Sequence, residues 1–360
     1  MKNNFYFVLI ILVLLSCKKN NQIELQFLDE YIVKDSLVIK NTLIGGLSGL
    51  DYAEGYYYCV VDDQKNPRFL KVKIDINHNE MTSVDFESVS FLKDTTTSFF
   101  TESAMDLEAI FFDEATREIN FVSEGSINSN KSPSVFSIDE NGKLVHVYEL
   151  PKSLKNNSSM KHNGVFEGSS KSVNQKGFWV SLESPLNVDG EAPTFKKASS
   201  PIRITYFDKN SKKATKQFAY HLEHIEKPSK GSINLNGVTA ILEYKEGHFL
   251  VIERAYKSGY GPFGNTVKIF DTSIDHKTTN VLAIDSLRVS EYVPLKKRLV
   301  FDFNDIKHQL TQGIIDNIEG ITLGPKLASG NQSLLLVSDN NFQAFGLQLN
   351  QFILMEISTK

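Results

Sequence analysis

The chain has 360 residues, 41% apolar and 23% charged, with a formal net charge of −4. That balance is that of a folded globular protein, excludes a mainly disordered or fibrous chain, and offers no basic surface for nucleic acid. With 25 Phe and 13 Tyr against 10 Pro, the composition favours strands, and no low-complexity run is long enough for a disordered linker.

Lys2 precedes an apolar run from Phe5 to Leu15, too short to span a bilayer as a helix but of the length of a signal-peptide core. Leu14-Leu15-Ser16-Cys17 resembles a bacterial lipobox, which implies cleavage after residue 16 and lipid attachment at Cys17. Several acyl chains on one Cys anchor stably, at about 0.8 kcal/mol per buried methylene. The expected organisation is a signal peptide over 1–16, a lipidated tether over 17–24 and a single domain over 25–360. The protein is then expected on the bacterial cell envelope, at the outer membrane or the periplasmic face, touching the membrane only through its lipid. With Cys17 acylated, Cys59 has no disulfide partner. Its strand-like setting, Tyr56 to Val61, predicts a buried thiol rather than a nucleophile.

One or two strands are expected between Leu25 and Ile39. A recurring unit follows, in which a polar residue among small ones opens an apolar strand and an acidic residue closes the next. Leu47-Ser48-Gly49-Leu50 leads to Val61-Asp62-Asp63, and Asp106-Leu107-Glu108-Ala109 leads to Val122-Ser123-Glu124. Phe166-Glu167-Gly168 leads to Ser181-Leu182-Glu183, and Asn236-Gly237-Val238-Thr239-Ala240 leads to Ile252-Glu253-Arg254. Asn317-Ile318-Glu319-Gly320 leads to Ser338-Asp339-Asn340. Five copies, roughly 60 to 80 residues apart, indicate a repeat architecture.

Between the copies lie further alternating runs and turn signals. Arg68 to Ile74 and Met81 to Leu92 flank Asn77-His78-Asn79, and Asn141-Gly142 is a strong hairpin signal. Helical period is confined to Phe303–Gly313, while Pro185–Ser200 and Ala255–Asn265 read as long loops. Strands at regular spacing, without crossover helices, predict an all-β fold, a single β-propeller of six or seven blades. Innermost strands of a propeller crowd round the axis, so small residues suit them and a polar residue there points into the channel.

These motifs, in this order, resemble the phytase-like family with the "esterase-like activity of phytase" domain, over roughly residues 43 to 355. The resemblance implies a metal-dependent, Ca²⁺-using phosphoesterase acting on a small phosphorylated molecule at the channel mouth, as a single chain. It assigns catalysis to Glu108, Glu167 and Glu319, and substrate contacts to Arg68, Arg254 and Asn340. Asp62, Asp63, Glu124, Glu183, Glu253 and Asp339 are its metal candidates. Three departures stand out: Asp62-Asp63 is followed by Gln64-Lys65 rather than Pro-Ala, no Arg occurs in Asn163 to Gly168, and Val238-Thr239 replaces a common Glu.

The residues themselves leave two readings open. Carboxylates sharing one channel mouth repel each other and hold protons unless a cation neutralises them, and an all-oxygen set suits Ca²⁺. Alternatively they tie blades together through backbone N–H groups, Arg68 and Arg254. The second functional expectation is accordingly a non-catalytic propeller that captures a ligand or protein at the cell surface. Glu253 and Arg254 are consecutive on a strand and face opposite ways, and a blade-to-blade salt bridge is the expected role of Arg254. Other patterns read as ordinary structure. Gly259 to Gly264 fits G-x-G-x-x-G but carries Pro262, His221 and His224 lack a zinc context, and Asp75 to Asn79 has Glu80 where a calcium loop needs Gly.

Overall fold

The computed structural model describes residues 22–359. The alternating runs pair into five four-stranded antiparallel sheets and one two-stranded hairpin, Val38–Ile39 with Thr42–Leu43. Blade one comprises Leu47–Ala53, Tyr56–Val61, Arg68–Asn77 and Glu80–Phe91. Blade two comprises Leu107–Asp113, Glu118–Ser123, Ser134–Ile138 and Leu144–Val147. Blade three comprises Phe166–Lys171, Gly177–Leu182, Pro201–Asp208 and Lys213–His221. Blade four comprises Asn234–Lys245, His248–Lys257, Asn265–Ser273 and Lys296–Asp302. Blade five takes Asn317–Lys326, Gln332–Asp339 and Asn350–Thr359 from the end of the chain and Ile23–Val33 from its start.

The molecule is a five-bladed propeller, not one of six or seven. Each sequence copy supplies the two innermost strands of one blade. The N-terminal run founds no blade of its own: it pairs with the last strand, Ile23 opposite Thr359 and Val33 opposite Asn350, and closes the ring. Side chains clasp this strand. Glu30 accepts hydrogen bonds from Gln351 Nε2 and Thr311 N, both at 2.6 Å, and Asp29 accepts one from Met81 N of blade one at 2.7 Å. Cys17 and the expected signal peptide lie outside the described residues.

One feature of the innermost strands positions the site. Each carries a β-bulge at the same level, leaving an extra residue outside the ladder. That residue is Ser48, Glu108, Thr239 and Glu319 in blades one, two, four and five. In blade three the shift spans Glu167 and Gly168. The next residue is always small, Gly49, Ala109, Gly168, Ala240 or Gly320, because neighbouring blades touch there. A Cβ on Gly49 would stand 2.7 Å from the Glu108 carbonyl oxygen, and one on Gly168 2.7 Å from Ala240 Cα. Where the bulge lacks a Glu, a hydroxyl ties the blades instead: Ser48 Oγ donates to Leu107 O and Thr239 Oγ1 to Ile318 O, both at 2.7 Å.

Apolar side chains fill the space between blades, for example Phe111, Tyr148, Phe178 and Phe207 between blades two and three. Each such ring adds about 2–3 kcal/mol of burial. Cys59 is a free buried thiol, its pKa pushed up to about 12 by burial. The segment 303–313 forms a short helix, Phe303–Ile306, and two single 3₁₀ turns. Arg203, fully buried, holds the long loops to blade three. It donates to both Asp189 oxygens, at 2.6 and 2.8 Å, and to the Val281 and Ile284 carbonyls. His78 and Asn79 both adopt positive φ, the left-handed pair of a two-residue hairpin turn, so the turn is His78–Asn79 alone, and Asp75 to Asn77 continue the strand rather than form part of the turn.

Candidate functional site

At one end of the channel a cavity of about 710 Å³ gathers nine carboxylates, from Asp62, Asp106, Glu108, Glu124, Glu167, Glu183, Asp316, Glu319 and Asp339. The fold brings them there in two ways. The bulges on the innermost strands aim Glu108, Glu167 and Glu319 inward. The acidic residue just past or at the end of the second strand adds Asp62, Glu124, Glu183 and Asp339. Arg254, on the second strand of blade four, is the one cationic side chain among the described residues lining the cavity.

Carboxylate oxygens of Asp62, Asp106 and Glu108 lie within 4.8 Å of one another. That is about twice a Ca²⁺–oxygen bond, the widest gap at which two oxygens share one ion. Burial, then the neighbouring Asp106, push the Asp62 carboxyl up to about 9. Burial and the charges of Glu167 and Asp62 push Glu108 well above its usual range. Glu167 is raised by burial and by Glu183 and Glu319, and Glu319 by burial and Asp339, with Arg254 opposing in both. Neither Glu108 nor Glu167 receives a hydrogen bond or ion pair from a protein group among the described residues, so each is free to take a ligand.

Other members of the ring are held by the protein. Glu124 Oε1 accepts from Gly164 N and Val165 N, tying blade two to blade three, and burial still lifts its pKa to about 7. Asp339 accepts from Asn341 N at 2.6 Å, with burial raising it to about 6. Arg254 Nη2 stands 3.5 Å from Glu183 Oε1 and 3.7 Å from Glu319 Oε1, and its Nε has no partner. It bridges blades three and five as an ion-pair partner while its guanidinium faces the cavity. Asn317, 7% exposed, donates from Nδ2 to Glu319 Oε1 at 2.8 Å and leaves its own Oδ1 without a donor.

Four residues expected at the site from the sequence do not reach the cavity. Asp63 turns away to pair with Arg68 at 2.6 Å; burial works against its ionisation, but the Arg68 hydrogen bond and charge hold it below its usual range. Arg68 also donates to Asn66 O and stacks 5.7 Å from the Phe342 ring, so it is an anchor of the turn. Glu253 lies on the opposite face of its strand from Arg254. It accepts from Tyr220 Oη at 2.6 Å and pairs with Lys297 at 2.5 Å. Asn340 caps the 3₁₀ turn Asn341–Gln343 and accepts from Gly46 N at 3.1 Å. Conversely, Asp106 and Asp316 belong to the cavity and were absent from the sequence-derived set. Asp106 carried a usable signal, standing two residues before Glu108 and so on its side of the strand. Asp316, which accepts from Leu349 N at 2.5 Å and Asn317 N at 2.8 Å, carried none.

Fold and site together define a five-bladed β-propeller with an acidic channel mouth. The chain belongs to the phytase-like family: the family model described as "Esterase-like activity of phytase" matches residues 42–342. No curated protein matches the chain in sequence. Among solved structures it is similar to an endo-arabinase from Bacteroides thetaiotaomicron, at 12% identity and a TM-score of 0.46, over 88% of this chain and 95% of that one. It is similar too to an exo-β-1,3-galactanase from Phanerochaete chrysosporium with β-1,3-galactotriose, at 10% identity and a TM-score of 0.46, over 92% of this chain and 64% of that one. A DUF4221-family member from Bacteroides vulgatus gives 7% identity and a TM-score of 0.41, over 95% and 99%. At these scores the likenesses say nothing of this chain's chemistry.

Proposed function

We propose that the acidic mouth binds a divalent cation and hydrolyses phosphate esters, in a protein held on the cell envelope by a lipid at Cys17. The supporting observation is the crowding of nine carboxylates round one cavity with Arg254 as the one cationic side chain in the described lining and Lys161 acting on Glu183 from behind it. Such a set stays ionised only if a bound cation supplies the missing positive charge. The unpartnered Asn317 Oδ1 is a further oxygen directed at no protein donor. All donors are oxygens, which suits Ca²⁺ and disfavours metals that select nitrogen or sulfur.

Asp62, Asp106 and Glu108 would hold the ion. When bound, it polarises a phosphoryl oxygen and lowers the pKa of water at the site. Arg254 supplies the planar fork that takes phosphate oxygens in two parallel hydrogen bonds, and Glu183 and Glu319 hold it in place. Glu167, without a donor among the described residues, would accept a proton from the attacking water. A ligand-capturing propeller would share this binding chemistry and lack turnover.

The test is release of phosphate from phosphomonoesters with Ca²⁺ and with chelator, beside Glu167→Gln. A chain starting at Lys18 serves, since it retains every strand of the closed ring. Cation-dependent turnover, lowered about 100-fold or more in the variant, is the expected result. Turnover that chelator and Glu167→Gln leave untouched would contradict the proposal. No turnover from folded protein would leave the binding propeller.

A further inference from the structure

The acidic mouth has a second, chemically different wall. Ile233, Leu235, Tyr256 and Pro262 line it from blade four, and Phe345 and Leu347 from the loop after the second strand of blade five. Several are open to solvent: Phe345 is 80% exposed, Ile233 48% and Leu347 47%. Leu235 and Tyr256 are register partners on adjacent strands, so that part of the lip is built on sheet. The carboxylates stand below it on four blades: Asp62, Asp106, Glu108 and Glu124 on blades one and two, Glu167 and Glu183 on blade three, and Asp316, Glu319 and Asp339 on blade five. A ligand in the cavity therefore meets carboxylates from four blades at one end and, where it reaches the rim at blade four and the blade-five loop, uncovered apolar side chains at the other.

Charge narrows the occupant further. A polyphosphorylated polyol brings several negative charges into a cavity whose lining holds nine carboxylates and one guanidinium, and each added phosphate needs a counter-charge that the lining lacks. A single phosphate can share one cation and Arg254. The polar remainder of a polyol would also leave the apolar lip wet, whereas an alkyl or aryl group would cover it.

We infer that the site takes phosphate monoesters carrying one apolar alkyl or aryl group, with that group seated on the lip formed by Ile233, Leu235, Tyr256, Pro262, Phe345 and Leu347. The inference rests on the phosphoesterase reading for the phosphate end and on the lip for the other. The experiment compares kcat/KM for phenyl phosphate, hexyl phosphate, glycerol phosphate and inositol hexakisphosphate in Ca²⁺, for wild type and Phe345→Ser/Leu347→Ser. Both substituted positions are exposed, so the variant keeps its fold, which its melting temperature verifies.

Phenyl and hexyl phosphate are expected to exceed glycerol phosphate by about tenfold, the effect of covering roughly two methylenes. Inositol hexakisphosphate is expected to be the poorest substrate. The double variant should cut the tenfold preference to threefold or less, through KM for the apolar esters. Equal or better use of glycerol phosphate or inositol hexakisphosphate, or a preference unchanged in the variant, would overturn the inference. Should wild type hydrolyse none of the four, the phosphoesterase reading fails, and equilibrium binding of hexylphosphonate against methylphosphonate in Ca²⁺ decides the lip separately. A roughly tenfold tighter hexyl compound, lost in the variant, upholds it, and equal affinities sink it.

Discussion

Glu108 shows how a residue can be costly to the fold and still be kept. It is 9% exposed, sits on a bulge, has no donor among the described residues, and faces Glu167 and Asp62. Without a cation, ionising it is unfavourable, so removing the charge should stabilise the empty protein. Glu108→Gln is expected to raise the melting temperature in chelator by a few degrees, at about 2 °C per kcal/mol for a domain of this size. It should also abolish most of the further rise that Ca²⁺ gives wild type. A variant that melts lower than wild type in chelator would mean that Glu108 is a structural tie.

Strand alternation explains which acidic residues the sequence sorted correctly. Asp62 and Glu124, Glu183 and Asp339 end equivalent strands and reach the same cavity. In blade four the register gives that place to Arg254, opposite Gly237, while Glu253 stands one residue earlier, equivalent to Val61, Ser123, Leu182 and Ser338, and faces Tyr220 and Lys297. Only one of two consecutive strand residues can look inward, and the repeat aligns Arg254 with Asp62, Glu124, Glu183 and Asp339, so Glu253 was the wrong member of the pair to count by its acidity alone. Asp63 and Arg68 are similar: five apart across a turn, they neutralise each other locally, and no repeat signal distinguishes that from a shared site.

At the scale of elements, the bulge followed by a small residue is the repeated device. Gly168 is squeezed against the backbone of Ala240 and Ile241 at 2.7 Å. Gly168→Ala must therefore push blades three and four apart at the level of Glu167. A loss of at least about 2 kcal/mol is expected in urea unfolding, as overpacking a closed contact costs 1–3 kcal/mol, together with loss of cation binding. A neutral result would show that the ring has slack there.

One strand end carries a pH dependence of its own. His221, at the end of the outermost strand of blade three, is half-buried, with Nε2 3.0 Å from Tyr292 Oη and Nδ1 3.4 Å from Ser199 Oγ. Burial, helped by Lys297, lowers its pKa below 6.5. The fold thus favours the neutral ring. The stability it contributes is fully present above pH 6.5 and is lost as pH falls through the depressed value. The raised carboxylates of the mouth bind protons on folding and act in the opposite direction, so the prediction is a difference: below pH 6.5 His221→Gln should lose less stability, or gain more, on acidification than wild type. An equal slope in both proteins would place the acid sensitivity elsewhere.

On the whole molecule, the five sequence copies and the five blades coincide, and the all-β repeat was fully legible from spacing and turn residues. Blade number was misjudged because Leu25 to Ile39 reads locally as strand, and nothing local says that its partner is Asn350–Thr359, more than 300 residues away. Ring closure is a property of the complete chain. The acidic mouth was legible because propeller geometry turns a repeat into a convergence, so acidic residues at equivalent positions meet at one end. The apolar lip was not, since Ile233, Pro262, Phe345 and Leu347 lie in or beside irregular connections whose positions only the closed ring defines.

The central claim is that this convergence holds a divalent cation. Its most direct measurement is a calorimetric titration of Ca²⁺ into the metal-free chain starting at Lys18, at neutral pH, beside Glu108→Gln. Saturable binding of at least one Ca²⁺ per chain, weakened about tenfold or more in the variant, is the predicted result. Absence of binding, or binding of equal strength in Glu108→Gln, would contradict it and leave the carboxylate ring as a set of protonated ties between blades.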